Sequence, residues 1–213
     1  MEKFSTSASE KPADLSLEEL LTLKVTTASK REQNISEAPA AMVVITARQI
    51  QERAYLYLDD ALRDLPGFDF IHLNGCFPTI WTQRGLYGDE NKRTLVLIDG
   101  FVENNLFEGN VLGGPQYSLH NVKRIEILYG PASALYGANA LNGIINIITK
   151  KGRDINGFEY HSGIGTNHTF SNQFLAGHRL ENGLEYSLSA SLYKTDGPVL
   201  AERHPEYSES YVD

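Results

Sequence analysis

The sequence predicts an α+β domain followed by a run of antiparallel β-strands. Three observations carry this reading. Short apolar segments of strand length alternate with two helical pieces through the first two thirds of the chain. The stretch "LYGPASALYGAN" at 128–139 crowds two Tyr-Gly pairs and a Pro between two such segments, leaving room for little more than a turn of helix. Late in the chain, "LEYSLSASL" places Leu184, Tyr186, Leu188, Ala190 and Leu192 on one face and Glu185, Ser187, Ser189 and Ser191 on the other, the period of two that only a strand shows.

Composition sets the outer bounds. A chain of 213 residues, 41% of them hydrophobic, holds one large domain or one domain and part of another, with enough apolar side chains for a core. Its formal charge of -8 argues against a nucleic-acid partner and reads as a solvated surface. Cys76 stands alone, so neither a disulfide framework nor a thiolate metal cluster is expected. No apolar run approaches the ~18 to 20 residues of a membrane helix. The longest, "IINII" at 144–148, is strand-sized and interrupted by an Asn. The opening "MEKFSTSASEKPAD" lacks the apolar core of a signal peptide, so an exported form is expected to have lost its signal or to be part of a longer product.

The elements follow in order. Residues 1–14 are polar and predicted to be disordered. "DLSLEELLTL" has Asp14 or Ser16 as N-cap and Leu17, Leu20 and Leu21 at helical spacing. "KVTTASK" reads extended because Val25, Thr26 and Thr27 are β-branched. After a break at Pro39, "MVVIT" (42–46) is a strand, "ARQIQERA" and "YLDDALRDL" are helices, and "PG" at 66–67 stops the second. Further strands are expected at "FDFIHL", "TIWTQRG", 94–98 within "KRTLVLIDG", "VKRIEIL" and "IINIITK", with "NGCFP" as a loop. Residues 101–119, rich in Gly and Asn, have no period and read as a long loop, the usual place for binding.

In "LYGPASALYGAN", Gly130 ends a strand, Pro131 is expected at the first helical position and Gly137 at a left-handed C-cap. A strand, tight helix and strand of this kind suits an ordinary α/β fold equally well. Beyond Gly152, "GFEYHSGIG", "FSNQFLAGHRL" and "LEYSLSASL" are three strands joined by "TNH" and "ENG" turns. An apolar face opposite small polar residues suits a membrane β-barrel with lipid outside. A soluble antiparallel meander fits the same alternation.

Enzyme chemistry is missing from the sequence. No His, Cys and carboxylate set stands at metal-ligand spacing, "GPASALYG" lacks the Lys of a phosphate loop, and no Ser sits in a G-x-S-x-G elbow. Asp59 with Asp60, and Glu18 with Glu19, read as solvated helix faces. The chain is therefore read as a non-enzyme with no cofactor and no metal.

Over 124–152, "RIEILYGPASALYGANALNGIINIITKKG" resembles the plug domain of TonB-dependent outer-membrane transporters. The resemblance runs back in the family's order through "RGLYGDENKRTLVLIDG", "LDDALRDLPGF" and "APAAMVVITARQI", covering residues 15–152, and the last segment is similar to the start of the transporter barrel. It implies a plug with a four-stranded mixed sheet and short helices, followed by antiparallel strands of an incomplete barrel. Complete barrels of this type have about 22 strands around a plugged lumen. The implied division is a flexible 1–30, a plug at 31–152 and barrel strands from 153 to 213.

The resemblance also implies partners and sites. "LKVTTA", Leu23, Lys24, Val25, Thr26, Thr27 and Ala28, is similar to the TonB box that the periplasmic coupling protein TonB grasps. An extended β-branched segment near a free terminus suits strand addition to a partner's sheet edge; an ordinary edge strand of the plug fits the same residues. The family locks its plug with two Arg residues against barrel carboxylates. Arg84, before Gly85, matches the first; Tyr129, before Gly130 and Pro131, stands where the second is usual. Phe77, Trp81, Phe101, Phe107 and Tyr117 lie in or beside the loops expected to face ligand and suit an aromatic vestibule; packing within the plug fits the same residues equally well. The implied function is TonB-coupled uptake of a scarce nutrient, an iron chelate such as a ferric siderophore or else cobalamin, across the outer membrane of a Gram-negative bacterium. Outer-membrane lipid would then be a partner through the full barrel. The competing reading is a freestanding periplasmic interaction or signalling module that transports nothing, or a truncated remnant of such a receptor.

Overall fold

The computed structural model describes residues 24–27, 29–31, 33–38, 40–71, 79–86 and 91–196. The expected helix at 14–23, the polar 1–14 segment, Cys76 and Phe77 lie outside these residues.

Twelve strands are defined among them: β1 (Lys24–Val25), β2 (Gln33–Asn34), β3 (Ala41–Thr46), β4 (Phe68–Ile71), β5 (Ile80–Gln83), β6 (Thr94–Ile98), β7 (Phe101–Val102), β8 (Val122–Tyr129), β9 (Gly143–Thr149), β10 (Gly157–Gly165), β11 (Thr169–Arg179) and β12 (Glu185–Lys194). Four short α-helices, α1 (Ala47–Glu52), α2 (Leu58–Arg63), α3 (Ser133–Tyr136) and α4 (Gly152–Ile155), and one 3-10 turn (Ile35–Glu37) join them.

The central sheet has the order β3-β8-β9-β6-β7, with β6 and β9 parallel and the other pairs antiparallel. It is the expected mixed sheet, four full strands plus a two-residue fifth. Alternation along β8 assigns its two faces. Ile125, Ile127 and Tyr129 join Ile45, Val96, Ile145 and Ile147 in the larger core, roofed by Ile50 of α1 and Leu58, Ala61 and Leu62 of α2. Leu128 turns the other way and meets Leu95, Leu97, Ile144 and Ala140. Burial on both faces explains why "TLVLI" and "IINII" are continuously apolar.

Local chemistry fixes the element ends. Thr46 caps α1 through a box with Gln49: the Gln49 amide donates to Thr46 Oγ1 (3.3 Å), and the Thr46 amide donates to Gln49 Oε1 (2.9 Å). The long 103–119 loop has little ladder of its own, and buried Asn side chains substitute for one. Asn104 accepts from the Val96 amide and donates to the Thr94 and Gly109 carbonyls. Asn91 accepts from the Trp81 amide and donates to the Thr79 and Val111 carbonyls.

The tight helix departs from expectation at both ends. α3 begins at Ser133 with Ala132 as its cap, so Pro131 precedes the helix rather than opening it. Gly137 has φ 78° and ψ -145°, which is not the left-handed helical cap. That region admits glycine alone, so the glycine is required for a different turn from the one expected.

The strands β10, β11 and β12 form a separate antiparallel sheet. Its outward face carries Phe158, Tyr160, Ile164, Phe170, Leu188 and Leu192, all exposed. Its inward face turns toward the domain, with Gln173 and Leu175 buried.

Candidate functional site

The first site is the 24–27 segment, which the structure places on the second face of the central sheet. Val25 pairs with Gln33 and is fully buried, as is Thr27. Lys24 remains exposed; Leu23 and Ala28 lie outside the described residues. The β1–β2 pair is only two residues long, and side chains from the sheet supply the rest of the hold.

Glu126 is central to that hold. It is completely buried in mid-strand, on the face opposite Ile125 and Ile127. Its Oε2 accepts from the Thr26 amide (3.0 Å), the Thr27 amide (3.0 Å) and Thr27 Oγ1 (2.5 Å). Its Oε1 accepts from Arg124 Nε (2.8 Å), and Arg124 Nη2 stands at the same distance. A buried carboxylate with both oxygens occupied by charged or main-chain donors is a satisfied ion. Opposite it in register on β9, Asn146 donates to Thr27 Oγ1 (3.0 Å). Tyr136, the second Tyr of the paired Tyr-Gly motif, donates its hydroxyl to the Thr27 carbonyl (2.9 Å). Burial, with Glu126 adding to it, pushes the Tyr136 phenol up, so it remains a donor at neutral pH. The amide and hydroxyl of Thr27 are therefore engaged by the sheet, and its carbonyl by α3.

Sequence reasoning passed over Glu126, Asn146 and Tyr136. A signal was present, since Asn146 interrupts the apolar run of β9 and Glu126 interrupts the apolar second half of β8. What joins them to Thr27 is contact across about a hundred residues of chain, which no local pattern encodes.

The second site surrounds Arg84 and Tyr129. Arg84 is exposed, adopts φ 55°, and holds its guanidinium 5.6 Å from the centre of the Tyr129 ring. Tyr129 is buried, packs edge-on against Phe68 (5.8 Å) and donates to the Pro66 carbonyl (3.0 Å). Burial pushes its phenol up. The aromatic ring thus occupies the position beside Arg84 where a second cation was usual in the resemblance, and offers the guanidinium a π face. Gly130 (φ 118°) and Pro131 follow directly, and Gly85 (φ 67°) follows Arg84.

The aromatic residues expected near ligand divide. Phe101 and Phe107 are 79% and 94% exposed, with fully exposed Leu106 beside Phe107. Trp81 and Tyr117 belong to the core: Trp81 is 2% exposed, because it lies on β5 and packs inward under α2. Tyr117 is buried in the same core, its hydroxyl facing Glu103 at 3.5 Å. For these two, packing within the plug is the reading the structure shows, and neither faces outward. Phe77 is outside the described residues.

The third feature is the join between the domain and β10–β12, made by polar groups on the strands' inward face. His120 Nε2 lies 2.8 Å from Ser189 Oγ, and its Nδ1 lies 3.0 Å from Ser118 Oγ. Gln173 donates to Ser118 (3.1 Å). Lys150 pairs with Glu159 (2.9 Å) and Arg153 with Glu185 (3.5 Å). Burial, followed by the nearby Lys150 and His161 charges, pushes His120 below its ordinary value. The serine face of β12 is therefore the face that meets protein, and its leucine face points away.

Among the described residues no group of three or more His, Cys, Asp and Glu is placed to hold a metal. None of the described helices is long and apolar enough to cross a membrane, which leaves a strand-built crossing open.

Comparison with known proteins agrees with this arrangement. The family model of the TonB-dependent receptor plug domain matches residues 34–144. The iron-regulated outer membrane virulence protein of Vibrio cholerae is 35% identical over 133 residues, covering 60% of this chain and 20% of the relative. The chain thus spans about a fifth of the length of that curated relative. Among solved structures, the siderophore receptor PiuA from Acinetobacter baumannii aligns with a TM-score of 0.66 at 24% identity, covering 84% of this chain and 24% of that one. The pyoverdine outer membrane receptor FpvA from Pseudomonas aeruginosa aligns with a TM-score of 0.66 at 22% identity, covering 81% and 24%. These receptors are not enzymes, and this chain belongs with them to the TonB-dependent outer-membrane receptor family, of which it carries the plug domain and adjoining antiparallel strands.

Proposed function

We propose that this chain is the plug, at residues 31–152, and the first barrel strands, from 153, of a receptor that takes up a ferric siderophore or similar chelate by TonB-coupled transport. The observation that carries the reading is the two-faced sheet β10–β12. Its polar face is bonded to the domain through His120, Gln173 and Ser189, and its apolar face is bare. That arrangement is what a lipid-facing wall around a plug requires. Exposed Phe101 and Phe107 serve as ligand-facing groups in this reading, and Arg84 as the plug's contact with barrel carboxylates. The segment Leu23 to Ala28 serves as the TonB box, binding by main-chain strand addition. The iron-regulated relative and the siderophore receptors of the same fold favour an iron chelate as cargo.

The test is uptake of radioactive ferric siderophores by cells carrying the complete receptor, with and without functional TonB. Uptake only with TonB is expected. Equal uptake in both strains would refute energy coupling. No uptake of any ferric siderophore or of cobalamin would refute transport and favour the interaction module.

A further inference from the structure

We infer that His120 is a proton-operated tie between the plug and the wall strands, holding while the imidazole is neutral and letting go when it takes up a proton. Naming β10–β12 the wall rests on the proposed reading; the seam itself is present in the chain whatever those strands enclose. Leu119 turns into the larger core, while its neighbours Ser118 and His120 turn to the strands. Three contacts run in series there. Gln173 Nε2 of β11 donates to Ser118 Oγ (3.1 Å), Ser118 Oγ lies 3.0 Å from His120 Nδ1, and His120 Nε2 lies 2.8 Å from Ser189 Oγ of β12. A hydroxyl has one proton to give. With Ser118 accepting from Gln173, that proton goes to Nδ1, which places the ring proton on Nε2 and points it at Ser189. The chain of bonds thus leaves the wall at β11, passes through two residues of the plug and returns to the wall at β12. Every donor along it is aimed the same way, so the bonds polarise one another.

Protonation breaks that order. An imidazolium donates from both nitrogens, so Ser118 would have to accept twice and its own proton would lose Nδ1 as acceptor. The surroundings also oppose the cation. Lys150, just beyond β9, and His161 on β10 both face the ring, and Glu159 of β10 is engaged by Lys150 at 2.9 Å. From the helix side come uncharged Gln51 and Tyr55, whose hydroxyl is turned to Asp64 (2.5 Å). Burial first, then the Lys150 and His161 charges, favour the neutral ring. His120 also lines two cavities, of about 410 and 250 Å³, so water and protons reach it without unfolding. An amide side chain could make contacts of the same kind, but His alone changes charge in this range. The ion pairs Lys150–Glu159 and Arg153–Glu185 are separate from the chain of bonds, so release at His120 loosens the seam without detaching the strands.

The experiment has two readouts on the full chain in mild detergent. The first is nitrogen NMR of the His120 ring, which reports its tautomer and its titration. The second is the distance distribution between spin labels at Gln51→Cys on α1 and Leu192→Cys on β12, both exposed positions, in a Cys76→Ser background. At about pH 7.5 the ring proton is expected on Nε2 and the distribution narrow. Towards about pH 5 the distribution should widen about twofold, with the midpoint of the His120 titration itself. His161→Gln should respond as the wild type does, and His120→Gln should stay narrow throughout. A ring proton on Nδ1 at neutral pH would overturn the inference. So would a width that ignores pH, that changes at a midpoint other than that of His120, that changes equally in His120→Gln, or that no longer responds in His161→Gln. Should His120→Gln not fold, the two midpoints of the wild type decide. None of these readouts involves uptake, so a failure here leaves the transport reading standing.

Discussion

Gly143 opens β9 between two neighbours, paired with Tyr129 on one side and Thr94 on the other. A Cβ built there would stand 2.2 Å from the Leu128 carbonyl oxygen and 2.5 Å from Gln83 Oε1. Ordinary contact begins near 3.4 Å, so Gly143→Ala requires β8 and β9 to part by more than an ångström. The nearer obstacle is backbone in a hydrogen-bonded strand and has no rotamer to escape into. Overpacking of this kind costs about 2 to 3 kcal/mol. Displacing Gln83 also breaks the bond it accepts from Thr94 Oγ1 (3.2 Å), which is worth about 1 kcal/mol. A total near 3 kcal/mol is expected. With a urea dependence of about 2 kcal/mol per molar, the unfolding midpoint should fall by ~1.5 M.

The assay is urea unfolding followed by circular dichroism, in mild detergent to cover the apolar face of β10–β12. Gly163→Ala is the control, since its Cβ meets only Ser171 Cβ at 4.0 Å and the added methyl removes unfolded-state freedom. It should leave the midpoint unchanged or raise it slightly. Equal midpoints for Gly143→Ala and Gly163→Ala would refute the argument, because close approach at Gly143 would then not limit the sheet.

Three further outcomes are expected. Trp81→Ala should cost about 3 to 5 kcal/mol of stability, as loss of a core aromatic does; an outward, ligand-facing Trp81 would instead weaken cargo binding and leave the urea midpoint in place. Arg84→Ala should cost no more than about 1 kcal/mol in this chain, since the exposed guanidinium lies over the Tyr129 ring and forms no ion pair among the described residues, and a larger loss in the same assay would show that it pairs within the plug. His120 is pushed below its ordinary value, so the unfolded chain takes up the proton more readily. Its contribution is therefore intact above about pH 6.5 and lost as pH falls through its lower folded value. His120→Asn should flatten that dependence between about pH 7.5 and 5, and an unflattened profile would assign the titration to another group.

Much of the architecture was legible because it is written at short range. The period of two over 184–192 identified both faces of β12, and Leu188 and Ser189 do point to opposite sides. "TLVLI" and "IINII" read as strands from their apolar runs, and they pair as the parallel strands of the centre. The sites were less legible, for the same physical reason. Trp81 lies on the expected strand "TIWTQRG" and was grouped with the ligand-facing aromatics, whereas it is buried in the larger core with Leu58 and Leu62 of α2. Pro131 fitted a general rule for helix starts, but the turn at Gly130 delays the helix to Ser133. A proline rule describes what a position tolerates and does not locate the helix.

The two Tyr-Gly pairs show how one short motif serves two surfaces. Tyr129 ends β8 on the larger core and sets its ring beside Arg84; Tyr136, on the α3 side of the turn, reaches the opposite face and holds Thr27. Glu126 lies between these roles on the same strand. Replacing a buried ion by apolar groups of equal size is often neutral or stabilising, so the Glu126 set is not explained by stability alone. Its distinguishing property is the kind of contact it makes. Val25 is held by burial, and removing it from the protein costs its apolar area. The Thr26 and Thr27 main chain is held by hydrogen bonds, whose net worth is small because water or another strand replaces them. A segment anchored at one residue by burial and at the next two by exchangeable hydrogen bonds stays ordered without a partner.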